Sequence, residues 1–473
     1  MLFTKKDVRY TEVKPPEDLF DNEPVELTEA TIQERLFKTC DAMEKRGLDA
    51  LVIYADREHY GNFKYLTGFS PRFEEALLIL HRGKEHALML GNEMLEMGTH
   101  SRIPAKAIHT SYFSLPNQPM EKEPFGNLLR RAGIDEGLRV GVAGWKLFTN
   151  TREDERQLFD VPYYIVKAIK ELTGEGGKIE NGADLLIHPD YGVRVRVNAN
   201  EIAYFEYGAS LAASRVLYAM NRAAADMTEM ELADGLEALG QPITVQTICA
   251  GEERFQNAVV EPRKKRIRLG DSVSLTLGMC GGLTARKAVM ARDAEDLREA
   301  DRGYLEDMVK PYFAAAATWY SSIHTGMRAG ELYDLINRCI PKEIYGWTLN
   351  PGHYIGEEEW LSSPLYPDSD ICLSSGAMLQ MDILIHREGR KGVNAEDGIA
   401  LADERLREEL KREYPGTWKR MERRRAYMIR ELHIPLHEEV LPLSDLAGYL
   451  RPYLLHHGRA MKVADGCSKA AEL

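Results

Sequence analysis

Between Thr28 and Gly47 the apolar residues Ile32, Leu36, Cys40 and Met43 recur at helical spacing, and just past Gly47 the chain changes to the unbroken apolar run ALVIY at 50–54. A helical period handing over at once to a buried-strand run restricts the fold, because the helix must lay its apolar stripe on the sheet that receives the strand. Thr28 can cap the helix through its hydroxyl, and Gly47 can take the left-handed conformation that ends it. Further strand-like runs at 76–81, 86–90 and 139–143, with a helical pattern near 124–132, extend the unit into an α/β (α+β) domain over residues 28–190. The first 27 residues carry Pro15, Pro16 and Pro24 and show no period, which reads as an extended N-terminal arm.

A second domain follows over 191–403. The glycine-rich stretch TGEGGKIENGADLLIHPDYG marks the boundary, and from Asn198 a long helical pattern runs to about Ala225. Thr228-x-x-Glu231 has the order of a capping box and opens a helix predicted over 228–239. A strand near 243–250 leads to a loop and then to a hairpin, SVSLTLGMC paired with LTARKAVMARD, entered through Leu269-Gly270-Asp271. Helices are predicted at 297–323 and 329–339, and residues 404–473 read as a helical extension, charged at first and then amphipathic.

The composition excludes several classes of function. A net charge of −13 argues against nucleic-acid or anionic-membrane partners, and the short basic run RKKRIR at 263–268 reads as a solvated strand edge. No apolar run reaches membrane-spanning length and the first residues lack a signal-like pattern, so a cytoplasmic protein is expected. The six cysteines show no CxxC spacing, which favours reduced thiols over a zinc knuckle or a disulfide framework.

The chemistry concentrates in residues 347–398. WTLNPGHYIG sets His353 in a glycine-flanked turn, and GAMLQMDILI and GVNAEDGIAL bring Asp382 and Glu396 into strand-like apolar surroundings. One imidazole and two carboxylates can ligate a divalent metal or do general acid/base work, since both uses need nitrogen or oxygen groups of matched charge in a partly dry pocket. His59, His109, His324 and His386 have no partner spacing and read as ordinary surface or core groups.

Taken in order, the segments RLFKTCDAMEKRGLDALVIYADREHYGNFKYLTGF, VNANEIAYFEYGASLAASRVLYAM, LGDSVSLTLG, TGMRAGELYDLI, NPGHYIG and NAEDGIAL resemble the creatinase and Xaa-Pro aminopeptidase family over roughly residues 28 to 402. The resemblance implies a creatinase-like N-terminal domain followed by a pita-bread C-terminal domain of two helix-and-strand halves around a curved sheet. It also implies hydrolysis at a C–N bond and a homodimer. Metal-dependent members hold two divalent ions with two aspartates, one histidine and two glutamates. His353 matches the histidine, Glu396 the last glutamate, and Asp382 the first glutamate with a chain one methylene shorter.

The two aspartates are not matched: the first falls at Thr276 and the second at about Ala285. The family's histidine before the hairpin falls at Gln256 or Asn257, and its second histidine at Trp360. Without the two aspartates a dinuclear centre loses its main charge compensation, so no metal and no other cofactor is expected. Lys287 or Arg286 would then supply positive charge opposite Asp382 and Glu396, anchoring a substrate carboxylate, with Gln256, Thr276 and Trp360 also lining the site. The resemblance adds Arg72 and Phe73, in a loop that reaches the partner's active site in creatinase-like dimers.

Three uses remain open from the sequence. The first is a metal-independent hydrolase cleaving a C–N bond in a small nitrogen-containing carboxylate, with His353, Asp382 and Glu396 as its catalytic groups. The second is an Xaa-Pro-type metallo-aminopeptidase with a mononuclear site. The third is a non-catalytic member that binds a ligand or partner, its pocket filled by Trp360 and Met381.

Overall fold

The computed structural model describes residues 1–466 apart from 22, 119–121, 150, 151, 253 and 255–259. It divides into two compact units, one made of Leu27–Val195 and the other of Met1–Glu26 with Arg196–Leu473.

The chain opens with strand β1 (Val8–Glu12). The unit that follows is built on six strands: β2 (Ala50–Ala55), β3 (Ala76–His81), β4 (Ala87–Leu90), β5 (Lys106–His109), β6 (Arg139–Ala143) and β7 (Lys178–Asn181). They form a mixed sheet in the order β5-β4-β3-β2-β6-β7. Its first helix spans Glu29–Arg46, with the Thr28 hydroxyl accepting the Thr31 N–H and Gly47 at φ 70°, as the sequence pattern predicts. Every residue of β2 and β3 is buried, which accounts for their uninterrupted apolar runs. The helices Gly61–Thr67 and Tyr163–Thr173 and the short strands β5 and β7 are additional elements not predicted from the sequence.

The other unit carries a seven-stranded antiparallel sheet made of β8 (Ile243–Gly251), β9 (Ser272–Met279), β10 (Gly282–Val289), β11 (His353–Tyr354), β12 (Met378–Met381), β13 (Asn394–Leu401) and β14 (Val440–Pro442). The order is β11-β12-β13-β10-β9-β8, with β14 on the C-terminal half of β13. The long helix Ala199–Arg222 starts from a full capping box between Asn198 and Glu201 and lies on the β9–β10 hairpin. The approach is close. A Cβ on Gly208 would stand 2.0 Å from the Cys280 carbonyl oxygen, and one on Gly281 (φ +97°) would stand 2.2 Å from that of Phe205. Glycine at both positions lets the helix backbone rest on the hairpin turn. Phe205, buried beside this contact, contributes about 1.5–3 kcal/mol by leaving water.

Three elements depart from the sequence reading. The helix after Thr228 stops at Ala233 and continues only as a tight turn, Asp234–Leu236, where Gly235 comes against Ala219. The helix predicted over 297–323 is regular only over Lys310–Ser322, preceded by a wide π turn at Leu305–Val309. Pro311, at the start of the regular part, has no N–H to give to the preceding turn.

The third departure concerns the ends of the chain. The final strand β15 (Arg459–Val463) pairs antiparallel with β1, so the first residues form a ladder rather than only an extended arm. After its helices Glu404–Glu413 and Pro415–Arg430 the tail also supplies β14. Arg424 is buried and reaches Glu206 at 2.6 Å and Ser210 at 3.0 Å on the long helix. The tail is therefore part of the core of this unit.

Candidate active site

Antiparallel pairing fixes which side chains of the sheet share a face. Thr276 of β9 stands opposite Ala285 of β10, and Ala285 stands opposite Glu396 of β13, so the three form one row. Two residues along, Ser274, Lys287 and Asn394 form a second row on the same face, because side chains repeat with a period of two. Arg286 falls between the rows and points the other way. His353 is brought in by β11, where it pairs with Gln380. Gly352 has φ +137°, and a Cβ there would stand 2.5 Å from the Gln380 carbonyl oxygen, so the turn before His353 requires glycine. Asp382 directly follows β12, whose last residue pairs with Asp397.

The structure brings His353, Asp382 and Glu396 together and adds Glu359. His353 is fully buried, with Nδ1 3.1 Å from the Tyr354 carbonyl oxygen. Its Nε2 lies 3.0 Å from Oε1 of Glu359 and 4.0 Å from Oε1 of Glu396. Trp360 stacks on the imidazole with ring centres 4.0 Å apart and planes inclined by 21°. Gln380 donates from Nε2 to Glu396 Oε1 at 3.4 Å. Asp382 is buried, and its Oδ1 has no hydrogen-bond partner among the described residues.

These contacts shift the protonation of each group. Burial pushes the Asp382 carboxyl up; the nearby imidazole pulls it down and Glu359 pushes it up again, leaving it at about 6. Burial, together with the charges of Asp382 and Glu359, holds Glu396 well above the usual carboxylate range. For His353 burial alone would favour the neutral ring, but Glu359 and Asp382 outweigh it and the imidazole is raised. Two neighbouring carboxyls in one dry site thus separate into one that ionises near neutrality and one that keeps its proton further up, the usual division between a base and an acid.

Glu359, Asp382 and Glu396 line a cavity of about 610 Å³, together with Thr276, Ala285, Lys287, Ser274, Asn394 and Trp360, while His353 is enclosed behind them and is not among the lining residues. Trp360 lines it and remains 37% exposed, while Met381 is fully buried and is not among the lining residues, so these two side chains do not fill it. His386, which the sequence reading treats as an ordinary group, is exposed and also borders the cavity.

Of the two cations the sequence offers, Lys287 or Arg286, the Arg286 guanidinium does not face Asp382 and Glu396. Its guanidinium lies on the other face of the sheet, 2.6 Å from Oδ2 of Asp397, 2.6 Å from the Leu446 carbonyl oxygen and 3.0 Å from that of Tyr449. Alternation along β10 turns the Lys287 side chain to the cavity and the Arg286 guanidinium to the interior, so Arg286 borders the cavity without presenting its charge there. Burial lowers the Lys287 ammonium below the ordinary lysine range, with Glu252 raising it and Lys391 lowering it further. Arg72 and Phe73 occupy an exposed turn of the Leu27–Val195 unit, where Phe73 is 69% exposed. Gln256 and Asn257 lie outside the described residues. Glu359 was missed. Its only signal in the sequence is the acidic run GEEEW directly before Trp360, the position compared with a family histidine.

The donor set does not fit a pair of metal ions. The row that should supply two aspartates offers a hydroxyl at Thr276 and a methyl at Ala285, so of its three members Glu396 alone carries a carboxylate, too few to compensate two cations there. His353, Glu359 and Glu396 each present one ligand atom within 4.8 Å of the others, a set that could hold a single divalent cation.

No protein-family model matches the chain, and no curated protein matches it by sequence. Among solved structures, an Xaa-Pro dipeptidase from Bacillus anthracis is similar with a TM-score of 0.58 at 17% identity, over 79% of this chain and 96% of that one. A prolidase from Pyrococcus horikoshii OT3 gives 0.58 at 19% over 78% and 95%, and a recombinant prolidase from Thermococcus sibiricus gives 0.61 at 18% over 79% and 95%. The chain therefore has the fold of these enzymes, a creatinase-like domain followed by a pita-bread domain, as the sequence resemblance implies.

Proposed function

We propose that the cavity is the active site of a metal-independent hydrolase that cleaves a C–N bond in a small nitrogen-containing carboxylate. The observation that carries this reading is the pair of buried carboxyls, Asp382 and Glu396, facing one cavity, with the enclosed His353 imidazole packed against Glu359 and Glu396 behind them. In the reaction, ionised Asp382 takes a proton from water as its oxygen adds to the carbonyl or amidino carbon. The His353 imidazole, raised by Glu359 and enclosed behind the carboxyls, favours from there the negative charge that develops on the heteroatom of that carbon. Glu396, holding its proton, delivers it to the leaving nitrogen as the C–N bond breaks, and the proton on Asp382 passes to Glu396 or to solvent to restore the starting state. Trp360 holds the imidazole plane and covers it on one side. The similar solved structures are peptidases that cleave C–N bonds by their printed names, which supports the reaction class at the level of the fold alone.

A second reading has its own observation: the ligand atoms of His353, Glu359 and Glu396 are close enough to share one divalent cation, which would polarise a peptide carbonyl when bound. Elemental analysis of protein purified without chelator separates the two. A metal-free protein that hydrolyses ureido, amidino or N-acyl acids supports the first reading. Stoichiometric metal, lost in both His353→Ala and Glu396→Ala, overturns it in favour of the second and directs the assay to Xaa-Pro peptides.

A further inference from the structure

The second row of the cavity face carries a chemistry that the acid–base groups do not use. Lys287 stands directly opposite Ser274 on one side and Asn394 on the other, so a cation, a hydroxyl and a carboxamide lie side by side across three strands. All three line the same cavity as Asp382 and Glu396. Ser274 is 3% exposed and Asn394 is 5% exposed, yet the Ser274 hydroxyl and both polar atoms of the Asn394 carboxamide have no hydrogen-bond partner among the described residues. A buried carboxamide left without partners is costly, and three open polar atoms at adjacent register positions call for a group that satisfies them. The segment leading into β13 makes room for the cation: a Cβ on Gly392 would stand 2.8 Å from Nζ of Lys287, so a side chain there would collide with the ammonium.

We propose that Ser274, Lys287 and Asn394 form a carboxylate-binding subsite that fixes both the charge and the length of the substrate. The inference rests on the hydrolase reading above and specifies its substrate. An ammonium with a hydroxyl and an amide N–H beside it can donate to both oxygens of a carboxylate, and an anion bound there offsets the burial of the lysine charge. The two rows are two residues apart along the strands, roughly 6.6 Å. The substrate is therefore an acid whose carboxylate lies about the length of two extended residues from the scissile carbon, the reach of a tripeptide cut at its first bond or of an ω-ureido acid with a short spacer. Acids with the reacting group adjacent to the carboxylate are too short to reach both rows.

Calorimetric titration with 4-ureidobutyrate and with its uncharged primary amide tests the subsite without requiring turnover. The expected result is that wild type binds the acid about tenfold or more tightly than the amide, and that Lys287→Met removes this preference while leaving affinity for the amide unchanged. Ser274→Ala, a small change that retains the strand, should weaken the acid alone by severalfold, so the test survives if the lysine variant fails to fold. Equal affinity for acid and amide in the wild type, acid binding by Lys287→Met equal to that of wild type, or no binding of the acid at millimolar concentration overturns the proposal. Asp382→Asn is the control for the reading beneath it: retained acid binding with lost hydrolysis supports both, whereas acid preference with hydrolysis unaffected by Asp382→Asn overturns the acid–base assignment and leaves the subsite standing.

Discussion

Ala285 of β10 stands directly opposite Glu396 of β13, and this pairing puts a methyl group where the family resemblance calls for a metal-binding aspartate. Thr276, the other such position, adjoins it on β9. Because the backbone rows are intact, the double variant Thr276→Asp with Ala285→Asp should rebuild a dinuclear donor set with His353, Asp382 and Glu396. Without metal it adds two charges to a cavity already rich in carboxylates and should melt several degrees below wild type. Manganese(II) should restore the loss, because a ligand that binds only the folded chain stabilises it. Thermal melting with and without manganese, and calorimetric stoichiometry, check this; a variant indifferent to manganese would show that the register does not preserve the site.

Arg286 and Lys287 are neighbours in sequence with opposite consequences. Arg286→Met leaves Asp397 buried at a fully enclosed position without its 2.6 Å partner, and should cost about 3–5 kcal/mol in denaturant unfolding. Lys287→Met faces the cavity and should change stability little. Equal losses for the two would show that strand alternation does not separate their roles.

The sequence disclosed what depends on local order. The Thr28 cap, the Gly47 stop, the buried strands β2 and β3, the start of the long helix at Asn198 and the capping box at Thr228 are each set by residues close together in the chain, and each appears where the pattern puts it. The convergence of His353, Asp382 and Glu396 was also legible, through the resemblance and the glycine of the GH turn. Which of Arg286 and Lys287 enters the cavity was not, because a shift of one residue reverses every side chain and only the pairing with β9 and β13 sets it. Glu359 was hidden for a different reason. It lies in an irregular segment with no period, and its value comes from folding back to within 3.0 Å of His353.

That contact makes a prediction of its own. Burial by itself would lower the His353 imidazole, and Glu359 is the leading charge that raises it instead. Glu359→Gln keeps the shape and removes the charge, so the His353 pKa should fall. Histidine-resolved NMR titration measures it directly, and an unmoved resonance would show that Asp382 alone sustains the imidazolium.

The pH dependence of turnover follows from the two carboxyls having different tasks. Asp382 must be ionised to accept a proton from water, and its carboxyl is raised to about 6, so activity should climb as pH rises through that value. Glu396 must hold a proton to give to the leaving nitrogen, and it stands well above the usual carboxylate range, so activity should fall again once the pH passes the value at which it ionises. The product of the two requirements is a bell in kcat/KM, whose limbs belong to the pair because the groups interact. Asp382→Asn removes the base and should lower kcat by about 10²–10⁴ at the optimum, the usual contribution of a positioned proton acceptor. Glu396→Gln cannot donate a proton to the leaving group and should erase the alkaline limb, leaving a residual rate that rises with pH and levels off. A profile of wild type and both variants on one substrate checks the assignment, and an alkaline limb that persists in Glu396→Gln would move the acid role to another group, with His353 the first to test.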